Sequence, residues 1–169
     1  MVDSLTVNTE VRYDQAMDWL AYDTDNCSVQ RTIEVIGDRW SGIVLREIFN
    51  GVRRFDQIKE HTGVSDSVLS DRLRKLVAHG ILVSREYQEP GSRRRKEYRL
   101  TDAGLDLQPI FVSMLRWGDA HRPSADGPAI EIHHRGCGAP VRAAVVCDEG
   151  HVVQQRDVRA SPGPGARLR

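Results

Sequence analysis

Phe55-Asp56-Gln57-Ile58-Lys59-Glu60 reads as one or two turns of helix, His61-Thr62-Gly63-Val64 as a tight turn, and Ser65 as the N-cap of a second helix, Asp66 to His79, that stops at Gly80. Ser is a good cap because its oxygen accepts an otherwise unsatisfied amide of the first turn. Asp66 sits where the helix dipole favours a negative charge. Val68, Leu69, Leu73, Leu76 and Val77 give the second helix a stripe to bury. Ser67, Asp71 and Arg74, with Ser70 beside them, lie on the opposite face. Two helices joined by a short glycine turn, the second with a small, polar and basic outer face, form a helix-turn-helix.

The next residues extend this reading. Ile81 to Tyr87 alternates as a strand, Gln88-Glu89-Pro90-Gly91-Ser92 is turn material, and Glu97-Tyr98-Arg99-Leu100 is a returning strand. Arg93, Arg94, Arg95 and Lys96 are expected at the tip of this hairpin. A cationic hairpin directly after a helix-turn-helix makes a winged helix, with the wing placed to touch phosphate. The fold class is therefore mainly α with a β wing, plus a small β-rich C-terminal extension.

Charge supports a polyanion-facing middle. The chain has 24 Lys and Arg against 24 Asp and Glu, so its net charge is zero. From Val52 to Arg99, however, twelve bases face seven acids, while the residues before Val52 carry four bases and nine acids. A basic segment in a neutral chain suggests a surface that meets nucleic acid. Ser65, Ser67, Ser70, Asp71 and Arg74 are the candidate contacts on the second helix. Arg53 and Arg54, just before the first, are expected to divide between one that contacts a phosphate and one that caps the helix or pairs with Glu47. Arg93, Arg94, Arg95 and Lys96 are the wing's contacts. Arg pairs with guanine O6 and N7, and Ser reads donors or acceptors. Asp71 repels phosphate, and either accepts from cytosine N4 or orients Arg74 or Lys75.

Upstream, Val11 to Tyr22, Cys27 to Ile36 and Trp40 to Phe49 have helical periodicity, with breaks at Gly37-Asp38 and Asn50-Gly51. Trp40 and Phe55 sit on apolar stripes and are expected in the core. Downstream, Thr101 caps a long helix from Asp102 to about His121. Leu105, Leu107, Ile110, Phe111, Met114, Leu115 and Trp117 make it apolar over more than one face. The expected cover is a second copy of the chain, through the 102–121 helix and the 11–22 helix.

The ordered set Cys27, Gly37-Asp38-Arg39-Trp40, Leu45-Arg46-Glu47, Gly51-Val52-Arg53-Arg54-Phe55, Leu69-Ser70-Asp71-Arg72-Leu73, Gly80-Ile81-Leu82, Tyr98-Arg99-Leu100-Thr101-Asp102-Ala103-Gly104 and Trp117-Gly118 resembles the HxlR-type winged helix-turn-helix transcription regulators, relatives of the MarR group. The resemblance covers about residues 27 to 120. It implies a cytoplasmic homodimer that binds double-stranded operator DNA, and some members of the family respond to oxidants through a cysteine near the start of the first helix; the alternative input is a small apolar effector held between the dimer helices. Cys27 stands at that cysteine's position. From the residues alone, a buried small side chain and a redox-sensing thiol are both open readings of Cys27.

Four regions follow: an N-terminal extension over 1–26, a DNA-binding and dimerisation domain over 27–122, a β appendage over 123–158 and a flexible tail over 159–169. In the appendage, His134 with Cys137 and Cys147 with His151 form two short pairs flanking a possible strand, Val141 to Val146. Their spacing follows the logic of a zinc knuckle holding one structural zinc, with His133 as the substitute ligand. Two unrelated thiols in a β extension is the alternative.

Several classes are excluded. No apolar run approaches the roughly 18 residues of a membrane span. The first 26 residues carry six acids and one base, the wrong sign for a secretory leader. Three widely spaced cysteines do not make a disulfide framework, and the cytoplasm is the expected location. No phosphate-cradling glycine loop or nucleophile elbow is present, so no enzyme is expected. The rival to DNA binding is a winged helix used for protein contacts, with the knuckle as a docking arm. A redox enzyme built on Cys137 and Cys147 is a third reading.

Overall fold

The structure is a computed structural model, and it describes residues 18–91 and 93–169. The chain divides into two compact units: Ser28–Ala143, and the described residues up to Cys27 together with Ala144–Arg169.

The larger unit contains α1 (Ser28–Ile36), α2 (Arg39–Phe49), α3 (Phe55–Thr62), α4 (Asp66–Ala78), β1 (Leu82–Tyr87), β2 (Arg95–Leu100), α5 (Asp102–Leu105) and α6 (Gln108–His121). Each helix of the central pair begins and ends where its residues require. Ser65 caps α4 by accepting from the Val68 amide. Gly63 closes α3 in the left-handed region at φ 69°, where its amide returns to the Lys59 carbonyl. A side chain there would be strained, so the glycine fixes the sharp exit between the helices.

The core lies where these elements meet. Val44, Leu45 and Ile48 of α2, Ile58 of α3, Val64, the Leu69, Leu73 and Leu76 stripe of α4 and Leu82 of β1 are all buried. Trp40 and Phe55 pack half-buried against this cluster, as their spacing suggests. Burying one such leucine stabilises by about 1.5–3 kcal/mol, so this cluster is what anchors α4.

β1 and β2 pair antiparallel, from Leu82 opposite Leu100 to Tyr87 opposite Arg95. The ladder begins earlier on β2 than the sequence suggests. Arg95 and Lys96 are therefore strand residues facing Tyr87 and Glu86, and only Arg93 and Arg94 belong to the connecting loop. The residues before α3 join the edge of β2: Arg54 bridges Glu97, and the Tyr98 amide donates to the Arg53 carbonyl at 2.9 Å. This ties the wing to the start of the helix-turn-helix.

The single terminal helix expected over 102–121 is two helices. Pro109 lacks the amide that would bond to the Leu105 carbonyl, so α5 ends and α6 starts afresh at Gln108. Gly104 is required inside α5, because a Cβ there would lie 2.3 Å from the Ile81 carbonyl oxygen. Only Val112 of α6 is buried; Met114 and Trp117 are 57% and 59% exposed. On α1, Val29 and Ile33 are exposed as well. No described helix is long and apolar enough to cross a membrane.

The appendage carries less β-structure than expected. Between Pro123 and Ala143 the backbone makes one isolated bridge, His133 to Pro140, beside a bond from the Val141 amide to the Ile132 carbonyl. Pro140 has no amide to continue a ladder, and residues 141–145 form no strand. In the smaller unit, Val146 bridges Val152 across the Cys147–His151 turn. Its end is not a free tail. Leu168 bridges Tyr22, and the Arg169 amide donates to the Ala21 carbonyl at 2.9 Å. The helix expected over 11–22 falls mostly outside the described residues; its described end is a 3-10 turn, Trp19–Ala21.

A candidate nucleic-acid interface on α4 and the wing

α4 presents its polar face outward. Ser67, Asp71 and Arg74 are exposed and one or two turns apart, while Ser70 is half-buried at the edge of that face. Ser65 has a structural task, since its hydroxyl caps the helix and lies 3.3 Å from the Ser67 hydroxyl. Asp71 is bonded on both sides: to Arg72 at 3.0 Å and to Arg74 at 3.3 Å. Of the roles open to Asp71 in the sequence, orienting Arg74 is the one the geometry presents.

The wing's cations are unequal. Arg95 lies 2.9 Å from Asp56 on α3, and Arg94 lies 3.5 Å from Glu86 on β1. Arg93 and Lys96 have no acidic partner among the described residues. Arg54 stacks over the Tyr87 ring at 4.5 Å and pairs with Glu89 at 2.6 Å. The hydrogen bond to Glu89 holds the Arg54 guanidinium above its ordinary, already high pKa. Arg53 offers its carbonyl to the wing, and its side chain has no acidic partner among the described residues.

Neither Arg53 nor Arg54 meets Glu47, which corrects that alternative of the expectation; Arg54 stands at the N-cap position of α3 but makes no side-chain cap bond. Glu47 is buried on the inner side of α2 and is taken by its neighbour Arg46 and by His61 of α3, at 2.6 Å. Burial pushes this carboxyl up, but the hydrogen bonds from Arg46 and His61 outweigh it and hold it below the usual carboxylate range.

Asp38 was not singled out by sequence reasoning. It caps α2, accepting from the Trp40 and Ser41 amides at 3.1 and 3.0 Å and from the buried Ser41 hydroxyl. It also reaches α4, with Arg72 Nε at 3.0 Å and Lys75 Nζ at 3.6 Å. The Arg72 Nε hydrogen is not aimed at the carboxylate, so this contact is an ion pair rather than a hydrogen bond. Burial raises the Asp38 pKa, yet Ser41 and the two cations bring it below the ordinary value. The legible signal was the aspartate at a helix start after Gly37. Its partners on α4 are too distant in sequence to be read.

α1, α2 and α6 border an open apolar groove of about 990 Å³. Val29, Ile33, Ile43, Phe111, Met114 and Leu115 line it. Cys27, immediately before α1, is half-buried; Cys137 and Cys147 are free and exposed. In the larger unit His134 Nδ1 lies 3.1 Å from Cys137 Sγ, and in the smaller unit Cys147 Sγ lies 3.5 Å from His151 Nδ1. Among the described residues, neither unit by itself brings together three or more His, Cys, Asp or Glu side chains that could hold a metal ion.

Comparison with known proteins agrees with this geometry. A family model, the HxlR-like helix-turn-helix, matches residues 35–126, more than half of the chain. An uncharacterized HTH-type transcriptional regulator of Mycobacterium tuberculosis is 39% identical over 143 residues, covering 84% of this chain and 89% of that protein. Among solved structures, PA1607, assigned there only provisionally as a transcription factor, is similar with a TM-score of 0.72 and 34% identity, over 82% of this chain and 96% of that one. The redox regulator HypR in its reduced form is similar with a TM-score of 0.50 and 31% identity, over 56% of this chain and 92% of that one.

Proposed function

The chain belongs to the HxlR-like helix-turn-helix family of transcription regulators, and from that premise we propose that it binds an inverted-repeat operator as a homodimer in the cytoplasm. One observation carries the reading. The exposed Ser67, Asp71 and Arg74 face of α4 stands on a helix anchored by three buried leucines, next to a hairpin bearing Arg93 and Lys96. α4 would enter the major groove, and the wing would run along phosphates. Binding, not catalysis, is the activity. A winged helix serving only protein contacts has no use for cations in those positions.

A second copy is the proposed cover for the apolar groove. Ile33 and Met114, both more than half exposed, would be buried by it. A small apolar effector entering the same groove, or oxidation of Cys27, would then act on the dimer rather than on α4 directly. Similarity to a redox regulator supports the thiol input.

Selection from a random-sequence DNA duplex library with the full chain tests the reading. The expected product is an inverted repeat with half-sites roughly 34 Å apart. Sedimentation at micromolar concentration should give a dimer, and Ile33→Asp with Met114→Glu should give a monomer that selects no repeat. No enrichment over the starting library would overturn the proposal.

A further inference from the structure

We propose that Asp38, Arg72 and Asp71 form a charge relay that presets Arg74 for base reading, with Asp38 as a positioning residue that never touches DNA. The inference rests on the reading of α4 as the recognition helix. Its basis is one continuous chain of contacts. Asp38 Oδ1 lies 3.0 Å from Arg72 Nε, Arg72 Nη1 donates to Asp71 Oδ2 at 3.0 Å, and Arg74 Nη1 donates to Asp71 Oδ1 at 3.3 Å.

Exposure grades along this chain. Asp38 and Arg72 side chains are about 30% exposed, Asp71 is 56% exposed and Arg74 74%. The inner end is fixed: Asp38 is held by two amides and the buried Ser41 hydroxyl, at the start of a helix whose other side forms the core. The outer end alone would be weak, because an exposed pair on a helix gains little against solvent and side-chain entropy. Tied to Asp38 through Arg72, Asp71 has one orientation from which to hold the arginine. A long arginine side chain loses conformational freedom when it docks, and a preset one loses less.

The relay also accounts for an acid on a DNA-facing surface. Asp71 would repel phosphate if it stood alone. Here two guanidiniums compensate it, and its negative charge serves to aim a cation. Asp38 further lines the apolar groove, beside Gly37 and Arg39. Anything that shifts the α1–α2 junction therefore acts on the inner end of the relay.

The test compares base preferences selected from a random duplex library by the full-length protein and its variants. Arg74→Ala should flatten the preference at one base pair in each half-site. Asp38→Asn keeps a good helix cap and removes the charge. It should reduce the preference at that same base pair by on the order of fivefold, the scale of coupling within one charged network. Preferences at the other positions should be unchanged. In an Arg74→Ala background, Asp38→Asn should have no additional effect, which a merely structural role could not produce. Asp71→Asn, on the surface and away from the core, should repeat the Asp38→Asn profile even if that variant folds poorly. A loss spread over all positions, or one persisting without Arg74, overturns the relay. A flattened Arg74→Ala profile beside untouched Asp38→Asn and Asp71→Asn profiles overturns the relay alone. Unchanged preferences for Arg74→Ala overturn the reading of α4 and the relay with it.

Discussion

Arg95 of the wing is held 2.9 Å from Asp56 of α3, so a cation that the sequence offers to DNA is already paired with the helix preceding the reading helix. Both side chains are about half exposed, and such a pair is worth at most about 1 kcal/mol, little enough for a phosphate to exchange with it. Asp56→Asn should therefore tighten binding to all DNA sequences alike. The log–log salt slope should steepen by up to about 0.9, the value for one added phosphate contact. Arg93→Ala, which removes a wing cation without an acidic partner among the described residues, should flatten the slope by a similar amount. Filter-binding titrations across a salt series measure both.

Glu47 predicts a stability effect away from the DNA face. Its carboxylate is buried and bonded to Arg46 and His61. Glu47→Gln should lower stability by about 1–3 kcal/mol, since it removes charged hydrogen bonds from a buried group. The sign of the pH dependence follows from the lowered pKa. The stabilisation is present above the unfolded-state value and is lost as pH falls through the lower folded-state value. Denaturant melts of the wild type and Glu47→Gln should converge in that acid range and differ at neutral pH.

Cys27 is half-buried and precedes the α1 residues that line the apolar groove. If it senses oxidants, its oxidation should change affinity for the selected operator. The change should be absent in Cys27→Ser and retained in a Cys137→Ser, Cys147→Ser double variant. Operator titrations with and without a mild oxidant separate these outcomes, and release of DNA by oxidised Cys27→Ser would refute the sensor.

The sequence expectation of one zinc draws His134 and Cys137 from the larger unit and Cys147 and His151 from the smaller, and each pair closes locally. Two thiolates and two imidazoles are a donor set that suits structural zinc. Protein purified without chelator should contain about one zinc per chain. The Cys137→Ser, Cys147→Ser variant should contain almost none, with unchanged base preference. Elemental analysis decides it, and full zinc retention by that variant would retire the proposal.

The parts legible in the sequence were those governed by neighbours. The α4 stripe of Leu69, Leu73 and Leu76, the Ser65 cap and the Gly63 turn follow from periodicity and local chemistry, and all three are in the structure. What escaped depends on distant partners. Arg54 finds Glu89 and Tyr87 across the wing, and Asp38 finds Arg72 and Lys75 on another helix. The break at Pro109 was legible in principle, but the apolar pattern of 105–117 runs through it without interruption. A cationic run resembles a loop, which points Arg95 and Lys96 to the tip, whereas cross-strand pairing decides where the ladder ends.

The central claim is that two copies of α4 read DNA across a two-fold axis. Hydroxyl-radical and methylation footprinting of the full chain on its selected site tests this most directly. The account predicts two protected major-groove segments, related by dyad symmetry and centred about one helical turn apart, roughly 34 Å. Protection of a single segment, or of minor-groove positions alone with no dyad, would contradict it.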